Sequence, residues 1–190
     1  MRIIAGSAKG HPLKTMSGQN TRPTSDKVKE SLFQMIGPFF HGGTVLDLFG
    51  GSGSLGIEAL SRGMDQAVFV DKSAQAVHVI QQNLEKCHFA DQATVYRSDA
   101  LKALAMLAKK DVRFDLVFLD PPYALTILPK LLQVIDTHQL LLPKGLIVAE
   151  HDQSVELPEA LDTFTAFRKQ TYGSQTQMTL YEAKEMHSNG

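Results

Sequence analysis

The tetrapeptide Asp120-Pro121-Pro122-Tyr123 has the most direct chemical interpretation in the sequence, although alone it could be only a rigid turn. Its two prolines fix φ and remove two N–H donors, so the turn is stiff. An exocyclic amine whose hydrogens are accepted by the Asp120 carboxylate and the Pro121 carbonyl would have its lone pair localised and aimed. Tyr123 offers an aromatic face on which a base can stack. The motif therefore favours direct methyl transfer to an amino nitrogen.

A glycine-rich turn after Asp47 predicts a cofactor site. Glycine lets a backbone approach a ligand closely and adopt positive φ, although such turns also bind dinucleotides or serve only structure. A carboxylate before the turn would repel a pyrophosphate but can pair with the ammonium group of a methionine moiety. S-adenosylmethionine is therefore the favoured cofactor, with predicted loop contacts from Phe49, Gly50, Gly51, Ser52 and Gly53.

Two further acids follow the next two predicted strands. Asp71 lies 24 residues after Asp47, where a carboxylate can bind both hydroxyls of an adenosine ribose, and Lys72 is expected beside it. Asp99, next to Ala100, could accept the adenine amino group, or it could only cap a helix. Because these acids arrive in order before the proline motif, the purely structural interpretation of that motif becomes much weaker.

Metal and thiol chemistry are not expected. The single cysteine, Cys87, excludes an internal disulfide or a thiolate cluster, and it lies at the end of a predicted helix, far from any strand end. The seven histidines show no paired ligand spacing, so we interpret them as surface or packing residues.

The elements that must position these residues follow an alternating pattern. Short apolar runs alternate with helical periodicity, which predicts βαβ units and a parallel sheet, and the last two runs flank a turn and predict an antiparallel hairpin. The expected fold is an α/β, Rossmann-like, doubly wound seven-stranded sheet of five parallel strands plus that hairpin. The predicted strands are 44–48, 67–71, 93–97, 116–120, 145–150, 164–170 and 178–182. The predicted helices are 53–62, 74–86, 100–108 and 126–137, after a first helix whose apolar positions run from 28 to 36.

The N-terminal segment differs from the rest in charge. Residues 1–30 carry six basic and two acidic side chains, a net charge of +4, although the whole chain carries −1. Residues 2–5 and 11–15 predict a small β-hairpin, so we divide the chain into a basic hairpin extension (1–24), a main domain (25–184) and a polar tail (185–190). A polyanion would meet Arg2, Lys9, Lys14 and Arg22 first, unless the segment is merely solvated.

The length and hydropathy of the chain predict a cytoplasmic protein. Its 190 residues fit one domain, and no apolar stretch reaches the roughly 20 residues of a membrane span. The N-terminus turns polar within a few residues, unlike a secretory signal. We therefore expect no membrane partner.

The sequence resembles the RsmD family of 16S ribosomal RNA guanine-N2 methyltransferases over nearly its whole length. The resemblance is carried by residues 2–6 with 9–10, 22–24 with 28–33, 47–56 and 120–123. It implies S-adenosylmethionine as cofactor, with S-adenosylhomocysteine as product, and N2 of a specific guanine as the acceptor. The implied partner is 16S rRNA in an assembling small subunit. We expect the protein to be a monomer. In this interpretation Arg22 and Thr24 lie near the mouth of the site, and the hairpin, including His11, contacts RNA.

Two departures and two alternatives accompany the resemblance. The family usually has Ala where this chain has Gly50, and its catalytic motif begins with Asp or Asn, so the charge of Asp120 and its pH response stay open. A DNA adenine-N6 or protein glutamine-N5 methyltransferase would use the same proline motif. Against these, the chain has no separate domain for reading DNA, and a protein substrate gives the basic arm no use. A non-catalytic ribosome-assembly module is the remaining alternative.

Overall fold

A computed structural model describes residues 1–16, 25–122 and 126–185. The predicted Rossmann-like α/β fold with seven strands is confirmed. Five helices are described: α1 (Asp26–Ile36), α2 (Ser54–Ser61), α3 (Ala74–Lys86), α4 (Ala100–Lys109) and α5 (Leu128–Thr137). The strands are β1 (Thr44–Asp47), β2 (Gln66–Asp71), β3 (Ala93–Arg97), β4 (Phe114–Leu119), β5 (Leu141–Asp152), β6 (Phe164–Tyr172) and β7 (Thr176–Ala183).

The strand order β3-β2-β1-β4-β5-β7-β6 defines where a ligand can bind. Strands β1 to β5 pair in parallel, and β7 pairs antiparallel with both β5 and β6. The chain moves outward from β1 through β2 and β3 and then returns to the other side of β1 as β4. Ligands of open α/β sheets bind at the carboxyl ends of the strands where the order reverses, which here is the crevice between β1 and β4.

Side chains of the central strands point alternately to the two faces of the sheet, and each face has its own hydrophobic core. Phe118 of β4 belongs to a buried cluster with residues of α1, α2 and α3. Its neighbours Val117 and Leu119 belong to a second buried cluster with residues of α4 and α5. Successive strand side chains point to opposite faces, so a central strand must be apolar on both. The crevice is thus positioned by a sheet that is covered on both sides.

The predicted boundaries differ from the structure at several elements. Helix α2 begins at Ser54 because Gly53 is left-handed, with φ of 82°. Helix α5 begins two residues later than predicted. Strand β5 begins at Leu141 rather than Gly145, because an irregular register between Phe114 and Leu116 of β4 extends the pairing.

The N-terminal prediction of two regular strands is wrong. Residues 1–16 form an antiparallel turnback with a single bridge, Arg2 to Pro12, and a hydrogen bond from the Ile3 amide to the His11 carbonyl of 3.0 Å. The Leu13 amide donates to the Met1 carbonyl at 2.8 Å on the other side of Pro12, so the pairing spans only residues 1–3 and 10–13. Ile3 and Leu13 are buried in the cluster with α1 to α3, so this arm (residues 1–16) packs on the sheet-covering helices.

One of the six basic side chains in residues 1–30 lies in a buried ion cluster and not on the surface. Lys29 is fully buried, with Nζ 3.2 Å from Glu58 Oε1, and Glu58 also pairs with Arg62 at 2.8 Å. Glu58 further accepts hydrogen bonds from the Ile4 and Ala5 amides at 2.9 and 3.1 Å. Buried charges are tolerated when they are paired in this way. Lys29 therefore joins the arm to α1 and α2 and adds nothing to a phosphate-binding surface.

Candidate active site

The four predicted acids lie at one edge of the sheet. Asp47 ends β1 and Asp71 ends β2, whereas Asp99 follows β3 and Asp120 follows β4 directly. Because the four strands are adjacent and parallel, their carboxyl ends meet at the same edge. Asp47 and Asp120 flank the strand reversal itself.

Asp47 is a buried acid that a bound cation would stabilise. It is 3% exposed, and its Oδ2 accepts a hydrogen bond from the Gly56 amide at 3.1 Å. Burial raises the pKa of Asp47 to about 7; the Gly56 hydrogen bond opposes this shift and the Asp71 carboxylate adds to it. The side chain fits the ammonium group of a methionine moiety, since a positive charge would offset the desolvation of the carboxylate.

The glycine-rich turn is held by hydrogen bonds from its own backbone. The Gly50 amide donates to the Val70 carbonyl at 2.9 Å, and the Gly53 amide donates to the Gly50 carbonyl at 2.7 Å. The Gly51 amide donates to Asp71 Oδ2 at 3.0 Å. Gly51 has φ of 58°, and a Cβ built on it would meet nothing within 4 Å. The turn leaves open space beside its backbone, which fits a ligand lying against it.

Asp71 has a bracing role that the sequence did not indicate. Its Oδ1 accepts a hydrogen bond from the Ser73 amide at 2.9 Å, in addition to the Gly51 contact of Oδ2. Each carboxylate oxygen has a second lone pair, so the ribose contact remains chemically available. The following Lys72 is exposed, and its carbonyl accepts from Arg97 Nε at 3.3 Å.

Asp99 caps a helix, as the structural alternative proposed. Its Oδ1 accepts from the amides of Leu101 and Lys102 at 3.0 and 3.2 Å, at the start of α4. The adjacent Ala100 is buried. This cap fixes the turn after β3 at the edge of the crevice.

Asn83 is a site residue that sequence reasoning missed. It is fully buried, and its Nδ2 donates to the Ser52 carbonyl at 2.8 Å and to the Lys14 carbonyl at 2.9 Å. Its Oδ1 accepts from the Lys14 amide at 2.8 Å. One amide group therefore joins the glycine-rich turn to the N-terminal arm. The available signal was an asparagine among the apolar positions of α3, beside Ile80 and Leu84.

The proline motif is described as far as Pro122. Asp120 is half-buried, Pro121 is buried and Pro122 is exposed, and Tyr123 lies outside the described residues. Burial, the neighbouring Glu150 carboxyl and the charge of Asp47 together hold the pKa of Asp120 well above its usual range. Glu150 of β5, another residue that sequence reasoning missed, therefore shares the crevice with the predicted catalytic acid.

Among the cations that the sequence predicts for the arm, Arg2 is already in an ion pair. Arg2 Nε lies 3.2 Å from Asp26 Oδ2 in an exposed ion pair, and Lys14 Nζ donates to Gln82 Oε1 at 3.2 Å. Lys9 is exposed, and so is His11, whose Nδ1 lies 3.0 Å from the Ala8 carbonyl. The predicted contacts Arg22 and Thr24 lie outside the described residues.

No helix among residues 1–16, 25–122 and 126–185 is long and apolar enough to cross a membrane. In the same part of the chain no group of three or more His, Cys, Asp or Glu side chains could hold a metal ion.

A parallel sheet with a glycine-rich first turn and acidic strand ends beside a strand reversal defines a Rossmann-like ligand-binding protein. The family model described as conserved hypothetical protein 95 matches residues 1–182. The chain belongs to this family, and the predicted membership of the RsmD family is confirmed.

Relatives of known sequence and structure cover nearly the whole chain. YlbH of Bacillus subtilis is 53% identical over 173 residues, which are 91% of this chain and 94% of that protein. Ribosomal RNA small subunit methyltransferase D of Haemophilus influenzae is 34% identical over 177 residues, 91% of this chain and 89% of that protein. The solved structure of yhhF from Escherichia coli matches with a TM-score of 0.82 at 30% identity, covering 98% of this chain and 99% of that one.

Proposed function

We propose that this protein methylates N2 of a specific guanine in 16S ribosomal RNA, using S-adenosylmethionine. The observation that carries the proposal is the placement of Asp47 and Asp120 on either side of the strand reversal, with the rigid proline turn beside them. A cofactor held at β1 and an amine held after β4 would meet in this crevice. The name of the Haemophilus influenzae relative supports ribosomal RNA of the small subunit as the substrate.

The residues around the first turn fit the proposed cofactor. Its sulfonium supplies an electrophilic methyl group when it is bound. The buried Asp47 carboxylate would hold the ammonium group, and Asp71 would accept a ribose hydroxyl while it braces the turn. Asp99 would receive the adenine amino group with the Asp99 oxygen that the helix cap leaves free. The remaining lining comes from Phe49, Gly50, Gly51, Ser52, Gly53, Lys72 and Ala100.

The proline turn would activate the amine by accepting its hydrogens. The Asp120 carboxyl and the Pro121 carbonyl each take one N–H bond, which localises the lone pair on nitrogen and directs it toward the cofactor. Methylation leaves the nitrogen with one proton too many, and the Asp120 carboxylate would accept that proton. Pro122 and Tyr123 would cover the plane of the base.

The arm would supply the backbone contacts to RNA. Lys9 is exposed, and Lys14 is joined through Asn83 to the glycine-rich turn, so phosphates bound by the arm would lie beside the crevice. Arg2, His11, Arg22 and Thr24 complete the proposed RNA surface. The proposed partner is an assembling small subunit, and the proposed state is a monomer in the cytoplasm.

Nucleoside mass spectrometry tests the proposal. Small-subunit particles from a strain lacking the gene are incubated with the protein and S-adenosylmethionine that carries a labelled methyl group, and the RNA is then digested. We expect label in N2-methylguanosine only. Label in N6-methyladenosine or in ribosomal protein would overturn the assignment of guanine as the acceptor. A product without label would overturn the activity. Deproteinised RNA in a parallel reaction separates recognition of RNA alone from recognition of the particle.

A further inference from the structure

Strand pairing places Glu150 beside Asp120. In the parallel pair of β4 and β5, Leu119 lies opposite Ala149, so Asp120 and Glu150 follow the last paired residues in register. Leu119 and Ala149 both belong to the cluster under α4 and α5, so the next residue on each strand points to the opposite face. Side chains that follow paired residues on adjacent parallel strands are neighbours, and the Glu150 carboxyl contributes to the raised pKa of Asp120.

Two ionised carboxylates in this position could not satisfy each other. A carboxylate has only acceptors, whereas a protonated carboxyl group also has a donor. Glu150 Oε2 is buried, and no donor among the described residues reaches it. A proton held between the two groups supplies the missing donor and removes one of two like charges.

The groups that face the pair favour retention of that proton. Asp47, on the neighbouring β1, is acidic and adds repulsion. Met178 of β7, opposite Glu150 in register, carries no charge. Lys29 is the buried cation of α1, but its Nζ is held by Glu58 and by Ser54 Oγ at 3.2 and 3.1 Å. Burial raises the pKa of both Asp120 and Glu150.

We propose that Glu150 is a positioning residue for Asp120 and that the two carboxyl groups share one proton at neutral pH. The shared proton orients Asp120 so that its other oxygen faces the crevice as an acceptor for the substrate amine, a role that rests on the proposed function. The pair then carries a single negative charge. As pH rises through the raised pKa of the pair, the proton is lost, the two carboxylates repel each other, and Asp120 turns away from its acceptor position.

Infrared difference spectroscopy tests the shared proton without substrate or cofactor. All proteins carry Asp47→Asn, because Asp47 would itself add a protonated-carboxyl signal that titrates near neutral pH. The Asp47→Asn protein, which is the parent in this comparison, is expected to keep a carboxylic-acid band at pH 7. In Glu150→Gln, the pH at which half of this band is lost should fall by about one unit or more, because the like charge is gone and the glutamine amide donates to Asp120. An unchanged midpoint would overturn the proposal.

A second variant guards against a folding defect in the first. Asp120→Asn leaves Glu150 as the titrating partner and gives it an amide donor, so its band should also shift to lower pH. Thermal unfolding identifies any variant that is not folded. A parent with no carboxylic-acid band at pH 7 would contradict a shared proton.

The pH profile of methylation tests the positioning role. We expect kcat of the wild type to fall on the alkaline side, Glu150→Gln to retain kcat at pH 7 within about threefold without that fall, and Glu150→Ala to lose about tenfold in kcat with KM for RNA unchanged. Equal pH profiles for wild type and Glu150→Gln would overturn the role. If the wild type does not methylate RNA, the proposed function fails, whereas the infrared result still decides the shared proton.

Discussion

The two sides of the crevice satisfy their carboxylates in different ways. On the cofactor side, Asp47, Asp71 and Asp99 all accept hydrogen bonds from backbone amides of neighbouring turns or helix starts. On the substrate side, Asp120 meets a second carboxyl group, and Glu150 Oε2 has no donor among the described residues. Backbone amides do not titrate, but a shared proton does. The amide donors of the first side therefore keep their protons at any pH, although Asp47 itself titrates near pH 7, whereas the second side depends on the proton that its two acids share.

The largest expected effect separates the two sides at Asp120. Asp120→Ala should lower kcat for methylation by about a thousandfold, because the acceptor for the amine is lost, while the Kd for S-adenosylmethionine changes less than about threefold. Steady-state methylation and equilibrium dialysis measure the two quantities. Asp91→Ala, at an exposed position near the opposite edge of the sheet, is the matched control and should change neither. Full methylation by Asp120→Ala would show that the catalytic assignment is wrong.

Asp47→Asn should have the next largest effect, on the cofactor side. Loss of the charge that holds the ammonium group should raise the Kd for the cofactor by about a hundredfold. The same variant should stabilise the cofactor-free protein at pH 8. The pKa of Asp47 is raised to about 7, so the folded state keeps a proton that the unfolded state releases above about pH 4, and stability is lost as pH rises between these values.

Unfolding in urea at two pH values measures the second effect. The gain from Asp47→Asn should be about 1–3 kcal/mol at pH 8 and much smaller at pH 4. A gain that is equal at both pH values would contradict a raised pKa. A gain at pH 8 without loss of cofactor binding would instead separate the buried acid from the proposed ammonium site.

The arm is expected to act on RNA binding and not on the cofactor. Replacing Lys9 and Lys14 by Ala should weaken RNA binding by about tenfold and reduce its dependence on salt, because fewer counterions are released. Replacing the exposed Lys109 and Lys110 by Ala removes the same charge at the end of α4, at the opposite edge of the sheet, and is the control. Filter binding at several salt concentrations and cofactor titration measure both ligands. Equal losses of affinity for RNA and for the cofactor would contradict a role of the arm in RNA binding alone.

Asn83→Ala should have a smaller effect, and it should weaken both cofactor binding and RNA binding. It breaks the hydrogen bonds to Ser52 and Lys14, so we expect Kd to rise several-fold for both cofactor and RNA, with a stability loss of about 1–3 kcal/mol. Gln82→Ala is the control, because Gln82 holds only the exposed end of Lys14. A change in the affinity for RNA alone would show that the glycine-rich turn does not depend on Asn83.

The residues that the sequence could identify are those whose chemistry depends on local order. The glycine-rich turn and the proline motif each follow a strand directly, so strand and motif can be read together. Glu150 and Asn83 could not be found in this way, because strand pairing and helix packing bring them to the site from distant positions. For Lys29 the sequence suggested a role that the structure does not support. Its charge adds to the basic character of residues 1–30, but a buried ion pair with Glu58 keeps it away from the surface.

The smallest expected effect tests how tightly the cofactor side is packed, at the glycine where the RsmD family usually has Ala. A Cβ on Gly50 would lie 2.7 Å from Cδ1 of Ile80, the far end of a flexible side chain. Gly50→Ala should therefore change stability by less than about 1 kcal/mol and leave cofactor affinity within about twofold, since only the terminal methyl of the buried Ile80 must turn, about χ2.

Gly56→Ala is the matched comparison for Gly50→Ala. A Cβ on Gly56 would lie 2.4 Å from the ring of Phe69, which is fully buried and cannot move aside, and 3.3 Å from the Cβ of Asp47. We expect a loss of about 2–3 kcal/mol and weaker cofactor binding, because the helix that donates to Asp47 must shift. Urea unfolding and cofactor titration of the two variants measure the contrast. If Gly50→Ala were as damaging as Gly56→Ala, the turn would be held more rigidly than its contacts with Ile80 indicate.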